Sequence, residues 1–298
     1  MKRVVITGAS GFVGRAVVAP LQARGYQIHA IGRSRVDGVT HHVIDLLTAD
    51  PRHLLAEIAP SHLVHLAWYA EPRKFWHASQ NLDWLAASLR LARAFADAGG
   101  QRLVTAGSCA EYDWSYPLLD EVSTPLNPST LYGTAKAAMF NVLSRAALTA
   151  TYAHARIFFP YGPGEARGRL LPDVIDAVRA GRRVATSDGT QARDFLHIAD
   201  VGAAIAAVVD SPVTGAVNIA SGTARPLRDV IGMAANLAGD ATLVDWGARP
   251  RQPGEPEVMG AAVARLHDEV GFASRWTLEA GLADMIAARA VADPRRLV

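Results

Sequence analysis

The feature that most constrains this chain is its beginning: Val4-Val5-Ile6-Thr7-Gly8-Ala9-Ser10-Gly11-Phe12-Val13-Gly14. A short apolar run meets three glycines spaced three apart, and a helical pattern follows over residues 15–24. The spacing predicts a buried strand, a tight turn and a helix whose N-terminus faces the space above the turn. Unpaired backbone N–H groups and the positive end of the helix dipole suit a phosphate at that point. Gly8, Gly11 and Gly14 let the turn form, let a diphosphate approach the backbone and let the helix pack on the strand. Ser10, Phe12 and Val13 lie in the same turn and are expected to line the cofactor. Glycine also serves such turns for backbone reasons alone, so the rest of the chain must decide the matter.

The remaining pattern supports it. Strands are expected at 27–31, around Val43-Ile44, at 63–67, 102–106 and 155–159. Helices are expected at 53–58, 81–98 and 132–150. Strands alternating with helices of this length predict βαβ units and a doubly wound parallel α/β sheet. Right-handed crossovers place all strand C-terminal ends on one edge, where ligands bind. After Gly164 the order weakens. Helices are expected at 170–180, 199–210, 226–239, 263–270 and 278–288, with short strands at 182–186, 193–197, 216–219 and 242–245. The expected division is a dinucleotide-binding domain over 1–160, joined by 190–223, and a small α/β substrate domain over 161–189 and 224–298.

Composition excludes more than it selects. An apolar fraction of 50% and a formal charge of +2 describe an ordinary globular protein with no call for a nucleic-acid partner. No run reaches the roughly 18 apolar residues of a spanning helix, and the glycine turn interrupts the first apolar run too early for a signal peptide. A single cysteine, Cys109, precludes an internal disulfide and fits a reducing, cytoplasmic setting. The ten histidines show no zinc spacing, so no metal is expected.

Chemistry concentrates at four strand ends. After the second strand come Gly32, Arg33 and Arg35, with no carboxylate before Asp37. An acid there would hold a ribose 2′-OH, whereas arginine suits a 2′-phosphate, so NADP(H) is expected ahead of NAD(H). Solvated surface arginines remain the plain alternative. Asp45, with Leu46 beside it, stands where it would accept from an adenine amino group or cap a turn. Leu66 and Ala67 end the fourth strand at the cofactor edge, and Trp68 follows. Ser108 ends the fifth, and Tyr132 and Lys136, four apart, share one helix face. An ammonium near a phenol favours tyrosinate and makes the tyrosine a proton donor or acceptor. His65 lies in an apolar strand and reads as a satisfied core histidine. Trp68 and Trp114 follow strand-end motifs and either stack on a ligand or fill core.

With Thr7-Gly8, Gly11, Gly14, His65-Leu66-Ala67, Ser108 with Tyr112, Tyr132/Lys136, Arg193-Asp194-Phe195-Leu196-His197 and Arg251 before Pro253-Gly254-Glu255, the chain resembles the extended short-chain dehydrogenase/reductase family. Within it, it is similar to the NAD(P)-dependent epimerase/dehydratase branch. The resemblance implies a Rossmann-type fold, a Ser108/Tyr132/Lys136 triad, and Lys136 on the nicotinamide ribose. It also implies Arg193 and Arg251 on a sugar-nucleotide diphosphate, with Trp68 and Cys109 on the substrate side. It further implies a homodimer formed by the helices beginning near Asn81 and Tyr132, with burial of their apolar faces inside the monomer as the alternative. The Asp-Glu pair of 4,6-dehydratases is replaced by Cys109-Ala110, which speaks against dehydration. Free cysteine is more often a buried apolar filler than a base. Phe159 stands where many relatives carry asparagine before Pro160. The implied reaction is NADPH-dependent reduction of a nucleotide-linked 4-keto-6-deoxy sugar. The alternatives are a C4-epimerase with tightly held NAD, or a non-catalytic NADP(H)-binding sensor.

Overall fold

A computed structural model describes residues 2–291; the last seven residues of the expected second domain lie outside the described range. In chain order the first part runs β1 (Lys2–Thr7), α1 (Phe12–Ala23), β2 (Tyr26–Gly32), β3 (Thr40–Val43), α2 (Arg52–Ile58), β4 (His62–His65), α3 (Gln80–Asp97) and β5 (Arg102–Ser108). It continues with β6 (Leu118–Leu119), α4 (Leu131–Leu143), β7 (Thr151–Ile157), β8 (Phe159–Tyr161), α5 (Leu170–Arg179), β9 (Val184–Ala185), β10 (Ala192–His197) and α6 (Ile198–Asp210). Last come β11 (Gly215–Ile219), β12 (Ala224–Pro226), α7 (Leu227–Ala238), β13 (Val244–Asp245), β14 (Val258–Ala261) and α8 (Leu278–Val291).

The main sheet has seven strands in the order β11-β7-β5-β4-β1-β2-β3, every neighbouring pair parallel. Alternation along β1 explains the two layers: Val4 and Ile6 join Val17, Leu21, Val201, Ile205 and Val208 on the α1/α6 face. Val5 joins Leu55, Leu91, Phe95 and Met139 on the α2/α3/α4 face. Strand order reverses beside β1, which leaves a crevice above the β1 and β4 ends. A second sheet, β12-β10-β14-β6 with β8 on β10, carries α5, α7 and α8. The stretch 190–223 divides between the two: α6 and β11 belong to the first layer, and β10 pairs in the second sheet.

Three departures from the expected elements have physical causes. The helix before β7 ends at Leu143 rather than Ala150, because residues 144–150 turn the chain back so that Thr151 pairs with Arg102 at the start of β7. The expected strand at 155–159 is two strands in different sheets, with only Phe158 between them. β7 starts earlier than its apolar residues suggest, since His154 and Arg156 are buried in it.

Candidate active site

The glycine turn builds a cradle whose tightness is measurable. A Cβ on Gly14 would meet the Gly8 carbonyl oxygen at 2.0 Å, and one on Gly8 would meet the Ala67 backbone nitrogen at 2.7 Å. Gly8 also sits at φ +71°, which side chains disfavour. The N-terminus of α1 has no side-chain cap and no acidic residue in its first turn. Its free N–H groups therefore face the crevice. These residues fit a dinucleotide diphosphate. Beneath them Thr7 Oγ1 bonds His65 Nδ1 at 2.7 Å and accepts from the Ala67 N–H at 3.2 Å. His65 Nε2 bonds Ser88 at 2.7 Å, and burial pushes the ring's pKa down to about 3. His65 is thus the satisfied core histidine expected, tying the ends of β1 and β4 together.

Around the crevice the other cofactor candidates take distinct positions. Arg33 and Arg35 are exposed just past β2, without an ion pair or side-chain hydrogen bond among the described residues. Asp45 accepts from the Leu47 N–H at 3.0 Å, which is the turn-capping alternative, and Leu46 is buried beside it. The Leu66 N–H donates to the Thr7 carbonyl at 3.2 Å, keeping 66–67 at the crevice edge.

Ser108 ends β5 in a reciprocal turn: its Oγ accepts from the Ala110 N–H at 3.2 Å while Glu111 Oε1 accepts from the Ser108 N–H at 2.7 Å. The hydroxyl proton of Ser108 is therefore not needed by the turn. Thr130 caps α4 through the Gly133 N–H, which sets Tyr132 and Lys136 in the first turns of the helix. Lys136 is buried; its Nζ donates to the Ala106 carbonyl at 2.8 Å and lies 5.9 Å from the Tyr132 ring centre. Burial pushes its ammonium down to about 7, with the Glu111 charge opposing. Burial also pushes the Tyr132 phenol upward, and the Ser108 hydroxyl beside it pulls the other way. The structure thus brings Ser108, Tyr132 and Lys136 to one place at the C-terminal edge of the sheet.

Aromatic side chains wall this place. Trp68 lies 3.7 Å from Lys136 Nζ, with its indole N–H donating to Asn81 Oδ1 at 2.8 Å. Asn81 in turn donates to the Phe75 and Ala78 carbonyls, fixing the 69–79 segment. Phe75 and Trp76 meet the Tyr132 ring edge-on at 4.9 and 5.8 Å, and Trp114 meets Trp76 at 6.2 Å. Trp68 is therefore a wall of the site, and Asn81 its anchor.

The substrate candidates divide. Cys109 is buried in an apolar cluster with Tyr112, Leu119 and Phe158, and burial pushes its thiol up to about 12. Such a thiol is no base. Tyr112 is likewise buried, its hydroxyl donating to Asn218 at 2.7 Å. Arg193 is buried and paired with Glu255 at 2.8 Å, and Arg251 is engaged by Asp188, Glu257 and Thr190. Glu111 escaped the sequence reading. Its Oε1 also meets His154 Nε2 at 2.9 Å and its Oε2 accepts from Arg156 Nε at 2.8 Å. Burial opposes its ionisation, yet His154 and Arg156 hold the carboxyl at about 2. The only sequence signal was Glu three residues after Ser108, the capping-box spacing. Among the described residues no three His, Cys, Asp or Glu side chains form a metal-holding group, and no helix is long and apolar enough to cross a membrane.

A parallel doubly wound sheet, a glycine cradle and a Ser/Tyr/Lys site at its edge define a nucleotide-dependent oxidoreductase or epimerase. Residues 4–220 match the NAD dependent epimerase/dehydratase family, and the chain belongs to it. It is 28% identical to a GDP-6-deoxy-D-mannose reductase of Pseudomonas aeruginosa, covering 94% of this chain and 95% of the relative. It is 24% identical to a UDP-glucose 4-epimerase of Corynebacterium glutamicum over 93% and 91% of the two chains. The solved structure of MoeE5 in complex with UDP-glucuronic acid and NAD superposes with a TM-score of 0.85 at 28% identity, covering 98% of this chain and 100% of that one.

Proposed function

We propose that this enzyme reduces the keto group of a nucleotide-linked 4-keto-6-deoxy sugar with NADPH. The observation that carries the reading is the convergence of Ser108, Tyr132 and Lys136 at the sheet edge that also holds the glycine turn. When bound, the reduced nicotinamide supplies a hydride for the carbonyl carbon. Ser108, whose hydroxyl proton is free of its own turn, donates to the carbonyl oxygen and orients it. Tyr132 gives its phenolic proton to the oxygen as that atom gains charge, completing the alcohol. Lys136 stabilises the resulting tyrosinate and holds the nicotinamide ribose. The first sheet with α6 and β11 carries the dinucleotide, and the second sheet with α5, α7 and α8 carries the sugar. We also place a homodimer contact on the outer faces of α3 and α4, where Leu82 and Val142 are 56% and 49% exposed.

Similarity to the GDP-6-deoxy-D-mannose reductase supports reduction, and Arg33 and Arg35, exposed and unpaired among the described residues, support a 2′-phosphate. A second reading, a nucleotide-sugar C4-epimerase with tightly held NAD, is favoured by the UDP-glucose 4-epimerase relative and by the NAD in the MoeE5 structure. Assay of the purified protein against 4-keto-6-deoxy and C4-hydroxyl nucleotide sugars, with each reduced cofactor, separates the two. Stoichiometric oxidation of added NADPH is expected. Turnover without added reductant, by protein that arrives carrying NAD, would establish the epimerase instead. In the same assay the Arg33→Ala/Arg35→Ala double variant is expected to raise KM for NADPH by about tenfold or more and to leave KM for NADH unchanged. An equal rise for both cofactors would remove the arginines from the 2′-phosphate.

A further inference from the structure

Arg169 is a cation one aromatic ring away from Tyr132 that the proposed reaction leaves without a task. It immediately precedes α5 in an extended conformation, φ −99° and ψ 158°, and its side chain makes no capping bond. Its guanidinium carbon lies 5.2 Å from the centre of the Phe75 ring, and that ring meets Tyr132 edge-on at 4.9 Å. Long-range contacts deliver it there. A Cβ on Gly168 would touch Pro72 at 3.5 Å, and Arg73 pairs with Asp173 at 3.2 Å, so the 69–79 segment is held against the start of α5. Arg169 has no ion pair or side-chain hydrogen bond among the described residues.

We propose that Arg169 is a positioning residue that sets the acidity of Tyr132 across the Phe75 ring. The inference rests on the proton-donor role given to Tyr132 above. Three observations support it. Phe75 neighbours both groups, so the space around them is partly filled by an aromatic ring, through which a charge is screened less than through water. Lys136, the other cation at the site, is pushed by burial to about 7 and is only partly charged near neutrality, whereas a guanidinium keeps its proton throughout. The groups facing Tyr132 also need a counterweight. Burial, Cys109 and Glu111 disfavour tyrosinate, while the Ser108 hydroxyl and Arg169 favour it. Of the acids near Arg169, Glu165 in the preceding loop is pushed up by burial to about 8 with Arg169 and Arg289 opposing, and Asp173 in the first turn of α5 accepts from the Gly168 N–H at 2.8 Å and pairs with Arg73.

The test is the pH dependence of kcat at saturating substrates for Arg169→Met, Arg169→Gln and Arg169→Lys, with Tyr132→Phe in parallel and dinucleotide and sugar-nucleotide affinities read by fluorescence. Both neutral variants are expected to move the Tyr132 limb upward by about one pH unit. Arg169→Lys is expected to restore most of the shift, and both affinities are expected to stay within about twofold of the parent. Two neutral variants keep the test available if one fails to fold. An unmoved limb overturns the inference. So does an unmoved limb with a tenfold weaker sugar-nucleotide affinity, which would make Arg169 a substrate contact. If Tyr132→Phe retains turnover, the proton-donor reading itself falls, a result distinct from either.

Discussion

Tyr132→Phe is expected to lower turnover by about three orders of magnitude while leaving the protein folded, the size of effect seen when a positioned general acid is removed. The ring would keep its edge contacts with Phe75, Trp76 and Trp68. The backbone N–H would still donate to the Trp76 carbonyl at 3.0 Å. Only the hydroxyl is lost, and burying one polar atom fewer costs little. Melting temperature and dinucleotide affinity should therefore match the parent, with the deficit confined to kcat. Turnover within tenfold of the parent would exclude Tyr132 as the proton donor.

The second large effect is expected from Glu111→Leu, and it falls on stability. Glu111 is fully buried and is bonded by the Ser108 N–H, His154 and Arg156. Arg156 is itself enclosed by the Tyr112 and Phe140 rings at 4.5 and 4.8 Å, so without Glu111 a buried guanidinium is left unpaired. Removing one member of a buried pair costs about 3–5 kcal/mol, which corresponds to a fall in Tm of roughly 10 °C in a chain of this size. Adding Arg156→Met to Glu111→Leu is expected to recover part of the loss, since an apolar replacement of both partners is often near neutral. Thermal unfolding of the single and double variants checks this. A double variant less stable than the single would show that Arg156 finds another partner. Because Glu111 also fixes the Ser108 N–H, kcat should fall in both variants.

What could be read from the chain alone were features carried by neighbours in sequence. The Gly8–Gly14 turn, the strand ends at Ala67 and Ser108, and the i, i+4 pair Tyr132/Lys136 each declare themselves within a few residues. The features missed depend on contacts far along the chain. The carboxylates that pair with Arg193 and Arg251, Glu255 for the first and Asp188 and Glu257 for the second, are not visible in the local sequence pattern. His154 and Arg156 hid the start of β7 because their polarity is satisfied by Glu111, more than forty residues earlier, and for His154 also by the hydroxyls of Thr105 and Tyr152. β6 and β14 are too short to show alternation, and pair with each other across a long separation. Arg169 gave no sign at all, since its meaning comes from Phe75.

The single residue between β7 and β8 has a mechanical consequence. Ile157 belongs to one sheet and Phe159 to the other, and Phe158 between them is buried, its N–H tied to the Ile219 carbonyl at 3.2 Å. No slack chain exists at this crossing, so β7 cannot slide along its axis without carrying β8 with it. The 69–79 segment lies across the edge of the site, and it is held by the Pro72 contact, the exposed Arg73–Asp173 pair, the Asn81 amide, the Tyr132 N–H on the Trp76 carbonyl and the burial of Phe75. The aromatic wall around Tyr132 is thus one piece of chain anchored from α3, α4 and α5 together, and a shift of any of these three helices would be felt at the Tyr132 ring.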